Sequence, residues 1–218
     1  MGLFIVFEGI EGCGKTTQIK LLSGYFEKRN LPCLLTREPG GTPVSEEIRK
    51  IFLHSEHNEI TPLTELLLVT AARVQHIQQV IQPALDAGTI VVCDRFFDAT
   101  VAYQGYAGRI SLDLIYRSHE LFCTALYPDL TLLLDCPVEI GLARSRSRNR
   151  AAGREKEEGR FEDKALPFHE KVRQGYLELA KKESRRFSIM HAEQPAEALH
   201  TAICEVMTQK LREHGYAA

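Results

Sequence analysis

Gly9-Ile10-Glu11-Gly12-Cys13-Gly14-Lys15-Thr16 is the stretch that decides the fold of this chain. Its glycine spacing, closed by lysine and threonine, matches G-x-x-x-x-G-K-[ST], the pattern of a phosphate-binding loop. An apolar run rich in strand formers precedes it, and apolar residues at helical spacing follow it. The loop is therefore predicted to join a strand to a helix, which is the context that the pattern requires.

The residue types in this loop suit a polyphosphate. Glycines let backbone N–H groups curve around an anion without Cβ clashes, and a helix start adds its positive dipole end. Lys15 would then hold the outer phosphates, and the Thr16 hydroxyl would hold a magnesium ion. The alternative is a glycine-rich turn that only joins the strand to the helix. The flanking pattern favours nucleotide binding.

The composition excludes several classes of protein. Of the 218 residues, 44% are apolar and 26% are charged, as in ordinary soluble domains. The apolar runs have about the length of strands, far short of the roughly 20 residues of a membrane span. A net charge of -2 gives no sign of a nucleic-acid partner. Scattered cysteines, without a C-x-x-C pair or a signal peptide, favour a reducing cytoplasm.

Apolar strand-like runs alternate with helical patterns along the chain. The runs predict strands over 3–8, 33–36, 89–93, 130–135 and 187–191. The helical patterns cover 15–30, 43–53, 62–87, 98–106, 111–126, 137–147, 162–183 and 195–213. Five strands separated by helices predict an α/β fold, a five-stranded parallel sheet with helices on both faces. Since no linker interrupts the pattern, we expect one domain over 1–218.

Charged residues follow several predicted strands, where ligands of open α/β sheets bind. These positions are Glu8, the turn 37–41, Asp94-Arg95 and Asp135. Asp94 directly follows an apolar strand and could hold magnesium, or could simply cap a helix. Arg95 beside it could bind a second phosphate.

Three other residues are candidates for substrate contact. Arg73 lies within an apolar helical pattern and needs an anionic partner or a route to solvent. Its partner could be a carboxylate in a structural salt bridge or the phosphate of a substrate. Tyr103 and Gln104 offer an aromatic face and an amide able to read a base.

The stretch 144–160 is unusually rich in arginine. It holds Arg144, Arg146, Arg148, Arg150, Arg154 and Arg160. Such a run is either a solvated loop or a lid that closes over phosphates. The phosphate loop elsewhere in the chain favours a lid at about 148–160.

Two other classes of nucleotide-binding protein do not fit. A regulatory GTPase needs an N-K-x-D segment, which is absent, and a dehydrogenase needs G-x-G-x-x-G, whereas these glycines are spaced G-x-x-G-x-G. A small phosphotransferase needs little beyond positioning and charge neutralisation. The combination of one phosphate loop with abundant arginine is therefore typical of a small phosphotransferase.

Together these motifs resemble the thymidylate kinase family, bacterial type, over nearly the whole chain. The motifs are 7–17, 36–42, 71–73, 94–96, 102–105 and 127–131. The resemblance implies a homodimer with the P-loop nucleoside monophosphate kinase fold. It also implies transfer of the γ-phosphoryl group of ATP to dTMP, giving dTDP, with Mg²⁺.

The resemblance also implies a set of site residues. ATP would be bound by Gly9, Ile10, Glu11, Gly12, Cys13, Gly14, Lys15, Thr16 and Thr17, and the metal by Thr16 and Asp94. The substrate dTMP would be bound by Glu11, Arg37, Glu38, Pro39, Val69, Arg73, Arg95, Thr100, Tyr103 and Gln104. Within this set, Glu11 would approach the 3′-hydroxyl, and Tyr103 would crowd the 2′ position and so select deoxyribose. The catalytic residues would be Lys15, Arg95, Arg148 and Arg160.

Two features distinguish this chain within that resemblance. No basic residue occurs among Ile10, Glu11 and Cys13, so the transition-state arginine is expected in the lid, with Arg148 first and Arg160 second. Val69 stands where the family usually has a phenylalanine that stacks on thymine. Two other functions stay open: a small kinase of the same fold with another substrate, and a nucleotide-binding regulator without catalysis.

Overall fold

One parallel sheet of five strands forms the centre of the protein. The computed structural model describes residues 2–54, 56–57, 59–153, 157 and 159–216. The strands are β1 Phe4–Glu8, β2 Cys33–Arg37, β3 Ile90–Asp94, β4 Leu130–Asp135 and β5 Phe187–His191. Their order is β2-β3-β1-β4-β5, with every neighbouring pair parallel. The predicted five-stranded parallel sheet is confirmed.

Helical segments connect the strands. The α-helices are α1 Lys15–Glu27, α2 Pro43–Leu53, α3 Pro62–His76, α4 Gln82–Asp86, α5 Phe97–Thr100, α6 Leu112–Phe122, α7 Val138–Ala151, α8 Leu166–Lys182 and α9 Ala196–Glu213. Two π-helical segments, Ile77–Ile81 and Val101–Ala107, continue α3 and α5.

The sheet is covered on both faces where it supports the phosphate loop. All five residues of β1 are buried, so side chains on its two faces alike are shielded from water. β3 and β4 are buried along almost their whole length as well. Continuous apolar strands of this kind are typical of parallel sheets between helices.

Several helix boundaries differ from the pattern-based prediction for identifiable reasons. The predicted helix over 62–87 contains the π-helical segment Ile77–Ile81. The predicted helix over 111–126 ends at Phe122, because Thr124 and Ala125 take φ values of 55° and 49°, which no α-helix accommodates. The predicted helix over 162–183 begins at Leu166, with a proline in its first turn, where that residue is tolerated. α7 runs to Ala151, four residues beyond the prediction.

The register of the sheet brings three strand ends together. Phe7 pairs with Asp94, and Asp94 in turn pairs with Arg37. The carboxyl ends of β1, β3 and β2 are therefore side by side, with the phosphate loop leaving β1 at this edge. None of the helices in the described part of the chain is long and apolar enough to cross a membrane.

Candidate active site

A cleft of about 1300 Å³ opens at the carboxyl ends of β1, β2 and β3. Typical pockets for one small molecule measure roughly 300–1,000 Å³, so this cleft has room for two ligands. Every predicted site residue lines it except Gly9, Ile10 and Arg160. The sheet topology brings these residues together from distant parts of the chain.

The glycines of the phosphate loop are required by its backbone path. Gly9, Gly12 and Gly14 have φ values of 138°, 69° and 102°, which L side chains rarely adopt. A Cβ atom on Gly12 would also collide with the backbone carbonyl of Gly141 in α7. The loop therefore packs directly against α7, and α1 begins at its far end with Lys15.

Lys15 lies folded over its own loop. Its Nζ donates hydrogen bonds to the carbonyl oxygens of Gly9 and Ile10 at 3.1 and 3.0 Å, and lies 3.5 Å from Cys13 Sγ. Only 7% of the residue is exposed. The ammonium group is thus held where the curved backbone would receive a phosphate, a favourable position for charge neutralisation.

Thr16 and Asp94 form the part of the cleft best suited to a magnesium ion. The Thr16 hydroxyl donates to Asp94 Oδ2 at 3.3 Å, although the two residues are far apart in sequence. Both supply hard oxygen atoms, and Mg²⁺ is usually bound by one or two such groups together with substrate phosphates and water. No group of three or more histidine, cysteine or carboxylate side chains within the described ranges could hold a metal alone.

Arg95 connects the phosphate loop to α8. Its Nη2 lies 3.3 Å from Glu11 Oε1, and its Nη1 donates to the Tyr176 hydroxyl at 3.0 Å. The guanidinium also lies 4.9 Å from the centroid of the Tyr103 ring. A left-handed backbone with φ of 67° at Arg95 turns the chain toward this cluster. Such strained positions concentrate at functional sites.

Glu11 is ionised within this cluster. Burial would raise its pKa, but His169, Arg95 and the Tyr103 hydroxyl together hold the pKa well below its ordinary value. Tyr103 donates to Glu11 Oε1. The other carboxylate oxygen, Oε2, is buried and has no hydrogen-bond partner among the described residues, with His169 Nδ1 at 3.5 Å. Oε2 therefore faces the buried His169 ring, while the residue as a whole lines the cleft.

Glu8 fixes the turn that carries Arg95. Its carboxylate accepts hydrogen bonds from the backbone N–H groups of Phe96 and Ala99 at 2.8 and 3.1 Å, and from the Tyr176 hydroxyl at 2.7 Å. Burial, reinforced by the charge of Asp98, raises the pKa of Glu8 to about 7 despite nearby Arg95.

Arg73 takes part in a buried ion pair and lines the cleft as well. Its Nε donates to Glu38 Oε2 at 2.7 Å, and its Nη2 donates to the Phe96 carbonyl and the Thr100 hydroxyl at 3.1 and 2.9 Å. Glu38 also lies 3.1 Å from His76 Nδ1. The salt bridge that the sequence left open for Arg73 is present, and it holds the guanidinium at the cleft wall.

The neighbouring wall of the cleft combines polar and apolar side chains. Arg37 is about half exposed and pairs with Glu46 Oε2 at 2.9 Å. Val69 is largely buried, one helical turn before Arg73 in α3, and lines the cleft together with Phe96. This end of the cleft therefore places the apolar side chains of Val69 and Phe96 beside the charged side chains of Arg37 and Arg73.

The two predicted lid arginines occupy different environments. Arg148 is about half exposed, donates to Ser145 Oγ at 2.7 Å and lies 3.7 Å from Glu162. Arg160 is fully buried and donates to the carbonyl oxygens of Phe52, His57 and Ile60. Its Nη2 also donates to the Glu65 carboxylate. Arg160 is therefore absent from the cleft, and its contacts tie the end of α2 to α3.

Part of the predicted lid falls outside the described residues. Arg154, one of the six arginines of the 144–160 stretch, belongs to that part. The described portion of the lid begins with the last turns of α7, where Arg148 lies.

Several cleft residues were missed by the sequence reasoning. Arg144 and Arg49 both line the cleft. Arg144 was named in the arginine-rich stretch but given no site role, although it precedes Arg148 by one helical turn. The segment 192–196 also lines the cleft, and His169 and Tyr176 contact the Glu11 cluster. No local sequence pattern predicts that these residues reach the site, because their positions depend on how β5 and α8 pack against the rest of the fold.

Comparison with known proteins agrees with the geometry. The Thymidylate kinase family model matches residues 7–203. A thymidylate kinase of Geotalea daltonii is 53% identical over 190 residues, covering 87% of this chain and 89% of the relative. One of Geobacter sulfurreducens is 47% identical over 211 residues, covering 97% and 99%.

A solved structure agrees with these sequence relatives. The crystal structure of thymidylate kinase from Ehrlichia chaffeensis superposes with a TM-score of 0.75 at 32% sequence identity, covering 94% of this chain and 98% of that one. The chain therefore belongs to the thymidylate kinase family, whose reaction is the phosphorylation of dTMP to dTDP.

Proposed function

We propose that this chain phosphorylates dTMP by holding ATP on the glycine loop and dTMP against the wall formed by α3 and α5. One observation carries the proposal: a single cleft joins a phosphate-binding loop to a second region where Val69 and Phe96 lie beside the polar side chains of Arg73 and Gln104. In-line phosphoryl transfer needs the two nucleotides end to end in this way.

The loop end is proposed to bind the donor. Backbone N–H groups of the loop surround the phosphates of ATP, Lys15 neutralises the outer ones, and Thr17 contacts them from the first turn of α1. Thr16 and Asp94 are the proposed ligands of a Mg²⁺ ion, which would neutralise phosphate charge when bound. Their hydroxyl and carboxylate oxygens, 3.3 Å apart, support this assignment.

The other end is proposed to bind dTMP. Arg37 and Arg95 hold its phosphate, and the Glu11 carboxylate, which lines the cleft, accepts a hydrogen bond from the sugar hydroxyl. The Tyr103 ring next to Glu11 limits room at the 2′ position. Arg73, Thr100 and Gln104 contact the base. Glu38 holds Arg73 through their ion pair, and Pro39 belongs to the adjacent turn.

Arg148 is proposed as the residue that stabilises the transition state. Its guanidinium is exposed to the cleft, whereas every nitrogen donor of Arg160 is bonded within the protein. Within the described residues, moving Arg148 toward the transferred phosphoryl group breaks its contacts with Ser145, Asn149 and Glu162. We accordingly treat α7 and the stretch that follows as a lid on one catalytic domain.

The proposal includes a homodimer. Large apolar side chains are exposed on α3 (Leu63, Leu67) and on α6 (Leu114, Leu121, Phe122), and these two helices contact each other. A second copy would cover this face. Light scattering should give twice the 24.6 kDa chain mass, and Phe122→Glu should lower it. A monomeric wild type would contradict this part.

A coupled ADP-release assay over a panel of nucleoside monophosphates tests the proposed function. We expect turnover with dTMP well above that with dCMP, dGMP and AMP, and dependence on Mg²⁺. A preference for another monophosphate would instead indicate a different kinase of this fold. ADP release with none of them, despite nucleotide binding, would indicate a regulator.

A further inference from the structure

Gln104 belongs to a buried hydrogen-bonded chain that reaches from the lid to the cleft. Its Nε2 donates to Glu65 Oε2 at 2.9 Å, and Glu65 Oε1 accepts from Arg160 Nη2. The three residues are 2%, 7% and 0% exposed. Of the three, only Gln104 lines the cleft. Its carbonyl oxygen, Oε1, makes no hydrogen bond with any described residue.

The orientation of this amide follows from the chemistry of its partner. A carboxylate paired with a guanidinium can only accept hydrogen bonds. The NH₂ group of Gln104 must therefore face Glu65, and the carbonyl oxygen must face the cleft. This conclusion does not depend on how the nitrogen and oxygen atoms of the amide were assigned.

A hydrogen-bond donor lies close to this acceptor. Arg73 lines the cleft, and its Nη1 makes no hydrogen bond with any described residue, because Nε and Nη2 supply its bonds to Glu38, Phe96 and Thr100. Arg73 is held there by Thr100, which precedes Gln104 by about one helical turn, and a guanidinium can only donate. The cleft wall thus presents a donor next to an acceptor. Thymine and uracil offer the complement, a carbonyl oxygen beside an N3–H group, whereas cytosine offers an amine beside a bare ring nitrogen.

We propose that Glu65, held in place by Arg160, is a positioning residue for base specificity that fixes Gln104 as an acceptor toward the base. The ligand class that this arrangement selects is a pyrimidine monophosphate with an imide edge. The inference rests on the proposed function, because it requires the base of dTMP to lie against Gln104.

Glu65→Gln is the decisive variant because it is isosteric and reverses the hydrogen-bond pattern. The new amide at this position keeps an oxygen toward Arg160 and turns its NH₂ group toward Gln104, which must then rotate its own carbonyl oxygen away from the cleft. A donor now faces the base. We expect the ratio of kcat/KM for dTMP to kcat/KM for dCMP to fall by about tenfold or more. The reason is that the N3–H group of thymine would then face a donor, and leaving buried polar groups unpaired strongly weakens binding.

Two further measurements separate specificity from loss of structure. With Glu65→Gln, kcat/KM for dUMP should fall in parallel with that for dTMP, while kcat/KM for dCMP rises or holds. The swapped double variant Glu65→Gln, Gln104→Glu again turns an acceptor toward the cleft and should restore the preference for dTMP. Calorimetric binding of dTMP and dCMP without ATP gives the same comparison in the absence of chemistry.

The outcomes are distinct. A wild type that does not phosphorylate dTMP would remove the proposed function itself. A wild type active on dTMP, with a Glu65→Gln variant whose dTMP-to-dCMP ratio is unchanged, would overturn only the role of Glu65. Should Glu65→Gln fail to fold, Gln104→Met decides: it should lower the same ratio without raising activity on dCMP, and an unchanged ratio would refute the inference.

Discussion

Lys15 is the single residue on which the proposed phosphate binding depends most. Among the described residues its ammonium group bonds only within the loop, so Lys15→Ala removes charge at the proposed phosphate site without disturbing the core. We expect kcat/KM for ATP to fall by about 10²-fold or more, the usual effect of losing one such electrostatic contact. The exposed Lys28→Ala is the control. Near-normal turnover by a folded Lys15→Ala protein would exclude the loop from the mechanism.

Glu8 should make stability depend on pH. Its folded-state pKa of about 7 lies above the ordinary 4.5, so the native protein binds this proton more tightly than the unfolded chain. The free energy of unfolding should therefore fall as pH rises from about 4.5 to 7, by about 3 kcal/mol from this group. Glu8→Gln, which cannot ionise, should lack this fall.

Urea denaturation at several pH values across that window measures the effect. The exposed Glu205→Gln on α9 is the control, and its pH dependence should match the wild type. Parallel pH profiles for the wild type and Glu8→Gln would show that Glu8 does not titrate in this way.

Val69 tests where the base lies. It has features of both a core residue and a base contact, since it is largely buried and lines the cleft. Val69→Phe should lower KM for dTMP, because stacking an aromatic ring on a base gains roughly 1–3 kcal/mol. The matched control is Val74→Phe in the same helix, which should lower Tm by overpacking. Lower Tm with unchanged KM in Val69→Phe would refute the base contact.

At the scale of elements, α7 carries Arg148, the arginine proposed to stabilise the transition state. Arg148→Ala should lower kcat on the order of 10³-fold while changing KM little, as for a contact made mainly in the transition state. Arg146→Ala, from the same helix but outside the cleft, removes the same charge and should leave kcat nearly unchanged. Equal effects of the two substitutions would mean that only the net charge of the lid matters.

Local patterns predicted the strands well and the helix ends less well. Each strand was located within one residue, since continuous apolar runs between turns are distinctive in a buried parallel sheet. The π-helical segment Ile77–Ile81 and the early end of α6 at Phe122 were missed. A π-turn changes hydrogen bonding without altering the apolar spacing enough to be noticed.

The site shows the same division between local and long-range information. The loop, Asp94 and Arg95 could be predicted because each follows a strand that ends at the same edge of the sheet. Arg160 could not be excluded from the cleft by sequence, because its partners Phe52, His57 and Glu65 are about a hundred residues away. The contact between Glu65 and Gln104 could not be predicted either, because it also joins residues that are far apart in sequence.

At the scale of the whole molecule, the fold places the proposed donor site and the proposed acceptor site in one cleft. The strand order β2-β3-β1-β4-β5 puts the phosphate loop between the ends of β3 and β4. Residues from α1, α3, α5, α7 and the segment 192–196 then line a space of about 1300 Å³. Such a cleft accounts for a reaction between two nucleotides without a separate catalytic base.

Calorimetric binding of adenosine and thymidine joined through their 5′ positions by a polyphosphate chain tests this central claim most directly. If ATP and dTMP meet end to end in the cleft, the linked compound should bind at least about 10²-fold more tightly than either nucleotide, because its second half binds at high effective concentration. It should also compete with both ATP and dTMP, and Lys15→Ala should weaken it. Competition with only one of the two, or affinity no higher than that of ATP, would contradict the account.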